Sequence, residues 1–297
     1  MDPFGVKITS LGAVVALALA RRAQKKKNLT VSGAVAGCGV GWILVATGLR
    51  GFLLLIFYQL GSVATKYKQS LKEKRDATMA DTHSARSAVQ VLAVSATPVV
   101  LSLLHAFYCG KEQPVNFSHN DDARKLASSL TCAVLAHHAT CLADTLASEM
   151  GILSQQTPIL ITQPWRQVPA GTNGGITVLG LFWSLAGGAI IGFFAVVLDF
   201  CSGLSPLNAS RMIVFGALSG LMGSLVDSLI GATLQSSYYD KERKLTFHAN
   251  SDNLPQSATL ISGVNVLTNE QVNSVSGLIT ALLGGWIMAP IIFGDPN

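Results

Sequence analysis

The sequence predicts an all-α membrane protein: a bundle of seven or eight transmembrane helices forming one domain over residues 1–297. Three observations carry that prediction. Only 12% of the residues are charged and 49% are hydrophobic, against about 25% charged in soluble globular domains. The apolar residues gather into runs that approach the roughly 20 residues a helix needs to cross a bilayer. The 28 glycines suit helices that pack backbone against backbone in lipid.

The runs follow one another near residues 8–20, 31–48, 52–65, 87–107, 126–143, 175–200, 212–235 and 274–293. The first and third are short, which makes seven spans the alternative to eight. The first also mimics a signal peptide, because "ALALA" offers a small-x-small cleavage site. Its flanks argue for an uncleaved span: only Lys7, offset by Asp2, precedes it, whereas "RRAQKKK" follows. That order predicts an N-terminus on the non-cytosolic side. The second basic cluster, "KYKQSLKEKR" at 66–75, comes after two spans joined by the tight "GLRG", so both clusters fall on the cytosolic face. Alternation brings three more features there: the connections after Ala143 and Gln235, and the start of the last span. Gly33, Gly37 and Gly41 repeat every four residues, as do Gly188 and Gly192, and Gly216 and Gly220; each set lies on one helix face.

The net charge of +5 sits beside the spans and reads as topology, not as affinity for nucleic acid. The five cysteines show no C-x-x-C spacing, which argues against a disulfide framework or a zinc ribbon.

Under this topology the polar residues of apolar segments converge on the cytosolic face. "CLADTLASEMG" at 141–151 places Asp144, Thr145, Ser148 and Glu149 at the end of one span. "WRQVPAGTNGG" at 165–175 leads into the next. Asp227 and Ser228 lie inside "GSLVDSLIGATLQ", and Asn269 and Asn273 open the last span. Acids within membrane segments are costly and mark function, so Asp144 and Asp227 carry most weight. Asp144 and Glu149 are five residues apart and point in different directions, so a second acid for a metal is expected from another helix. Carboxylate, hydroxyl and amide oxygens suit Mg²⁺, with Asp144 and Asp227 as its ligands. Thr172, Asn173, Gly174 and their backbone N–H groups could hold phosphates ahead of a helix start, with Lys66, Lys68 and Arg166 neutralising charge.

Plainer readings compete. "GTNGG" is also ordinary turn chemistry, and no Walker A pattern is present. Glu149 could be a solvated span end, and the 66–75 run a topology signal with headgroup contacts. His137, Cys141 and Asp144 share one helix face at soft-metal spacing, but no second Cys/His cluster completes such a site.

Four blocks in order, "ADTLASEMG", "PAGTNGGITVLG", "GSLVDSLIGATLQ" and "LTNEQVNS", resemble the signatures of the transmembrane protein 19 family, the "domain of unknown function 92" group. "NLTVSGAVAG", "GSVATKYKQSLKEKRDA" and "ARSAVQVL" resemble its other blocks, so the likeness covers most of the chain. The family includes a plant phytyl-phosphate kinase, which adds a second phosphate to an isoprenyl monophosphate, and a plant branch linked to glucose-responsive growth. The resemblance therefore implies an isoprenyl-monophosphate kinase working with Mg²⁺ and a nucleoside triphosphate at the cytosolic membrane face. It carries over Asp144, Glu149 and Lys66 as catalytic residues. Thr65, Ser148, Thr172, Asn173 and Asn273 come with them as binding residues, beside Asp227 at the metal. Departures from its pattern are Leu142 two before the aspartate, Leu146 after "DT", Val94-Ser95 after "QV", and Gly61-Ser62 before "TK". Leu142 and Val94, where polar residues are common, point to a weakened activity or a changed substrate. The alternatives from other classes are an ion-coupled transporter, whose intramembrane acids bind the coupling ion, and a catalytically silent membrane protein.

Overall fold

Local sequence decides where each helix starts. The computed structural model describes residues 2–77, 85–117, 121–205, 208–248 and 254–294. Helix α1 (Val6–Lys25) folds back on α2 (Val31–Thr47), whose start is capped by the Thr30 hydroxyl accepting from Gly33 N–H. A 3₁₀ turn (Leu49–Phe52) leads into α3 (Leu53–Lys66) and the single turn α4 (Gln69–Lys72). Helices α5 (Ala88–Ala93) and α6 (Ala96–Tyr108) form a broken pair. Asp121 caps α7 (Asp122–Gly151), and Thr177 caps α8 (Val178–Cys201). After α9 (Ala209–Leu234), a Thr268/Gln271 capping box opens α10 (Asn269–Leu283), which runs through a π-helical turn (Gly284–Met288) into α11 (Ala289–Phe293). Such caps satisfy backbone N–H groups that a helix cannot bond internally.

Among the described residues, four helical stretches are long and apolar enough to cross a membrane: Asp122–Gly151, Val178–Cys201, Ala209–Leu234 and Asn269–Phe293. They are not equivalent. The α7 stretch is 89% buried, against 33% for those of α8 and α9. Helix α7 is the axle of the bundle and packs against α3, α6, α8, α9 and α10. It can do so because its faces are built from small residues such as Ala133, Ala136, Ala139 and Ala143, which let neighbouring backbones approach. On the outer helices Phe182, Phe193 and Phe200 of α8 and Val214 of α9 point outward, as lipid-facing side chains do. Where α8 crosses α9, a methyl group on Gly188 would collide with the carbonyl of Gly216, and one on Gly216 with that of Gly188.

The all-α expectation needs one correction. Two small antiparallel sheets occupy connections that the sequence left as loops. Strands β1 (Ile159–Leu160), β2 (Gln163–Gln167) and β3 (Gly175–Ile176) pair in the order β2-β1-β3 between α7 and α8. Strands β4 (Ser237–Asp240), β5 (Leu245–His248) and β6 (Thr259–Ser262) pair as β5-β4-β6 between α9 and α10. With two to five residues each, they are too short for alternation to register. Both sheets lie at the same end of the bundle and are stitched together. Arg166 donates to Ile261 O at 2.9 Å, and Thr246 Oγ1 to Ala170 O at 2.7 Å.

The other end is closed by charge pairing. Arg50, in the "GLRG" turn, donates to both carboxylate oxygens of Asp199 at 2.7 and 3.0 Å, to Thr131 Oγ1 at 3.2 Å and to Gln113 O at 2.9 Å. Glu112 accepts from the backbone N–H groups of Leu49 and Arg50. Each buried charge there is answered by a protein group.

Candidate functional site

Helices α7 and α9 run in the same direction, and each carries its aspartate about two turns before its C-terminal end. A cavity of about 710 Å³ opens at that end, and both Asp144 and Asp227 line it. The two carboxylates lie near enough to feel each other's charge. Asp227 Oδ2 accepts from Ser276 Oγ of α10 at 2.8 Å, and the Ser224 hydroxyl bonds Asp144. Neither has a lysine or arginine partner among the described residues. Two carboxyl groups held side by side in a half-buried chamber without a counter-ion favour a cation between them. Mg²⁺ fits that demand: it accepts one or two carboxylates and fills its remaining positions with water and phosphate. A soft metal does not fit. Among the described residues no three His, Cys, Asp or Glu side chains gather as a metal site, and His137 Nε2 is taken by Val94 O at 2.9 Å.

The 169–175 loop borders the same chamber. Gly171 and Gly174 adopt φ of +87° and +75°, a region that glycine enters without penalty. A side chain on Gly174 would also strike Ala232 of α9. Thr172 Oγ1 donates to Pro169 O at 2.7 Å, and Asn173 N–H to Ser237 Oγ at 3.0 Å. The N–H groups of Gly171 and Gly174 have no acceptor among the described residues, which leaves them available to an anion. The Asn173 side chain is held by His248 of β5, with Nδ2 and Nδ1 2.8 Å apart. Asp76 stands behind Gly171, 3.7 Å from His248 Nε2.

Of the residues expected from sequence, Asp144, Asp227, Thr65, Ser148, Thr172, Asn173, Gly174, Asn273 and Glu149 all line this cavity. Glu149 is committed elsewhere, however. It is buried in an ion pair with Lys72, whose Nζ lies 2.5 Å from Oε2 and also donates to the carbonyls of Ala64 and Thr65. Lys66 is exposed, does not line the cavity, and donates to Asn28 Oδ1 at 3.2 Å. Lys68, stacked over Tyr67, and Arg166, engaged between the sheets, likewise do not line it. Leu142 is fully buried in the main core and does not line the chamber.

Four cavity neighbours escaped sequence reading: Lys72, Asp76, Arg86 and His248. Lys72 hid within a basic run that reads as topology. His248 and Asp76 lie in connections whose folding only the sheets define. Arg86 borders the chamber half-buried, and burial pushes its guanidinium below its ordinary value. The one signal for it was a cation directly before the apolar run at 87–107.

The rest of the lining is mixed, with Gln90, Asn269 and Glu270 among its polar members and a run of small apolar residues from the N-terminal helices. Ala16, Ala20 and Ala23 of α1, Gly37 and Val40 of α2 and Leu54 of α3 form an arm that joins the polar chamber.

Comparison with known proteins agrees with this architecture. The model of the family described as integral membrane protein DUF92 matches residues 14–281. Protein PGR of Arabidopsis thaliana is 34% identical over 94% of this chain and 93% of its own. An uncharacterized membrane protein of Methanocaldococcus jannaschii is 28% identical over 90% of this chain and 88% of its own. One from Synechocystis is 33% identical over 68% and 72%. No solved structure matches the chain. The chain belongs to the DUF92 family of integral membrane proteins.

Proposed function

We propose that the protein is a lipid-phosphate kinase that transfers the terminal phosphoryl group of a nucleoside triphosphate to an isoprenyl monophosphate at the cytosolic membrane face. The observation that supports this is the two-part cavity. Its chamber presents two carboxylates without cationic partners and a glycine-rich loop, and its arm offers small apolar side chains to a hydrocarbon tail. A transporter's ion site is expected near the bilayer midplane; here the acids stand about two turns from helix ends.

The chemistry asks for positioning and charge balance. An oxygen of the acceptor phosphate attacks the terminal phosphorus, the bond from that phosphorus to the bridging oxygen breaks, and the nucleoside diphosphate leaves. Asp144 and Asp227 would hold Mg²⁺, which when bound offsets charge on the phosphate oxygens. The Gly171 and Gly174 N–H groups would cradle phosphates in the loop that Thr172 and Asn173 brace, while Thr65, Ser148 and Asn273 add hydroxyl and amide contacts. A phosphate monoester loses its second proton near pH 6, so the attacking oxygen is already ionised and no strong base is required. Glu149 is therefore free to serve as an orienting residue, clamped by Lys72 so that α4 is held against α7.

The same reading has α1, α2, α3 and the α5–α6 pair cross the bilayer as well, eight spans in all, with the N-terminus on the non-cytosolic side. The basic ends of α1 and α3 then flank the cavity end, as cytosolic loops do.

The test incubates purified protein with labelled ATP or CTP and a panel of isoprenyl monophosphates. Mg²⁺-dependent diphosphate is expected, with a loss on the order of 10²-fold or more in Asp144→Asn and in Asp227→Asn. No product with any pair, or full rates in both variants, overturns the reading.

A further inference from the structure

We propose that Arg86, stacked on Tyr58 where the apolar arm meets the polar chamber, is the anchor for the phosphate of the lipid acceptor. The assignment rests on the lipid-phosphate reading above and adds to it a residue and a subsite.

Its backbone is fixed before any ligand arrives. Arg86 N–H donates to Asn28 O at 3.0 Å, and Arg86 O accepts from Thr30 N–H at 3.1 Å and from Thr30 Oγ1 at 3.4 Å. Gly33 of α2 lies so close that a methyl group there would strike the same carbonyl. The side chain then leaves this pinned backbone and passes over the Tyr58 ring, with Cζ 5.9 Å from the centroid. Tyr58 is itself held: its hydroxyl accepts from Asn28 Nδ2 at 3.5 Å, and Asn28 Oδ1 in turn accepts from Lys66. The guanidinium lines the cavity and has no hydrogen-bond acceptor or carboxylate partner among the described residues. Glu149, whose charge it feels, is already claimed by Lys72. A half-buried cation aimed into a chamber with its five donors unused is an anion site.

The neighbouring elements say which anion. Asp144, Asp227 and the 169–175 loop come from α7, α9 and the approach to α8, the half of the chamber suited to a metal–nucleotide. Arg86 bridges α2 and α5, beside the cluster of Ala20, Ala23, Leu29 and Ala34 with Tyr58 and Val91 packed on it. It thus stands against the wall of the arm. A planar guanidinium fits a monoester phosphate with two parallel bonds, which a lysine ammonium does not reproduce.

The experiment measures equilibrium binding to the purified full chain in detergent. The probes are geranyl monophosphate, geraniol, and ATP or CTP with Mg²⁺; the proteins are wild type, Arg86→Gln, Arg86→Lys and Tyr58→Phe. Arg86→Gln should weaken geranyl monophosphate about 10- to 100-fold while leaving geraniol and nucleotide within about twofold. Arg86→Lys should fall between it and wild type, and Tyr58→Phe, which keeps the ring face, should match wild type. The anchor is overturned if Arg86→Gln binds geranyl monophosphate normally, if the loss falls on the nucleotide instead, or if wild type fails to prefer the phosphate to geraniol. Should Arg86→Gln not elute as one species, Arg86→Lys decides, and wild-type affinity in it overturns the anchor. Arg86-dependent phosphate binding without turnover sinks the kinase reading and keeps the anchor; turnover with an unchanged acceptor KM in Arg86→Gln does the reverse.

Discussion

The two ends of the helical bundle handle charge in opposite ways. At one end Arg50, Asp199 and Glu112 answer one another beside a space of only about 40 Å³. At the other, Asp144 and Asp227 face about 710 Å³ with hydroxyl partners but no cation. Both arrangements cost desolvation. Only the first recovers it inside the protein, through a bidentate guanidinium–carboxylate contact and backbone donors. The second leaves it to be recovered by what binds. The contrast teaches that an acid in a membrane helix is informative only together with its partners: Asp199 and Asp227 look alike in the sequence and do different work.

The largest effect that could break this comparison is on stability. Arg50→Ala leaves Asp199 buried without its counter-ion and should cost about 3–5 kcal/mol, read as a lost or sharply lowered thermal transition in detergent. Asp227→Asn and Asp144→Asn each remove a buried carboxyl that has no cationic partner and should unfold no earlier than wild type, even as they abolish turnover. If either lowers the transition as far as Arg50→Ala does, the cavity end is a structural lock too, and the contrast disappears.

Lys72 tests the boundary between the ends' two habits, because it is a paired charge located at the cavity end. Lys72→Met strands the Glu149 carboxylate and two carbonyls, for a cost of about 2–3 kcal/mol. Glu149→Gln keeps an acceptor for Lys72 and should be milder. If Glu149 orients and does not take a proton, the glutamine variant keeps its rate within about threefold, and its pH–rate profile does not move. A loss of 10²-fold with an intact thermal transition would instead make Glu149 the base.

Much of this was legible in the chain, for a physical reason. Each of the eight apolar runs is mainly helical, the one at 87–107 as two helices broken at Val94 and Ser95, because burial in lipid or core demands internal backbone bonding. Asp144 and Asp227 stood out because a carboxylate is conspicuous among alanines and leucines. Lys72 did not, because it sits in a run with four other cations. What separates it is Lys68, whose left-handed φ of +48° turns the chain between α3 and α4 and folds that one lysine inward. Arg50 was visible as a lone cation between apolar runs, but its partner lies at the far end of α8. No spacing rule links residues 149 positions apart. The sheets were missed because strands of two to five residues carry no period, and with them went His248 and Asp76, which those strands bring to the loop.

Packing between the outer helices comes next in size. Gly188→Ala puts a methyl group into the Gly216 carbonyl across the α8–α9 crossing and should cost about 1–3 kcal/mol. Gly39 of α2 has open space where its side chain would be, so Gly39→Ala should be neutral or gain up to about 1 kcal/mol from helix propensity. The pair separates close contact from glycine content: equal transitions in the two variants would remove the close-packed crossing as a source of stability.

The smallest effect sharpens the comparison most finely, because it holds energy constant and varies place. Thr177 caps α8 at the cavity end by accepting from Gly180 N–H at 3.0 Å, and Asp121 caps α7 at the other end by accepting from Ala123 N–H at 3.0 Å. Alanine at either position removes one cap and should cost about 1 kcal/mol. The consequences for binding differ. Thr177 is two residues beyond the "GTNGG" loop, and losing its cap frays the helix start that fixes the loop's approach to the chamber. Thr177→Ala should therefore raise the KM for nucleotide several-fold with a modest change in kcat, whereas Asp121→Ala should shift the thermal transition by a similar amount and leave both constants alone. Equal kinetic losses in the two variants would mean that the chamber responds to global stability alone, and the loop's local geometry would carry no weight in binding phosphate.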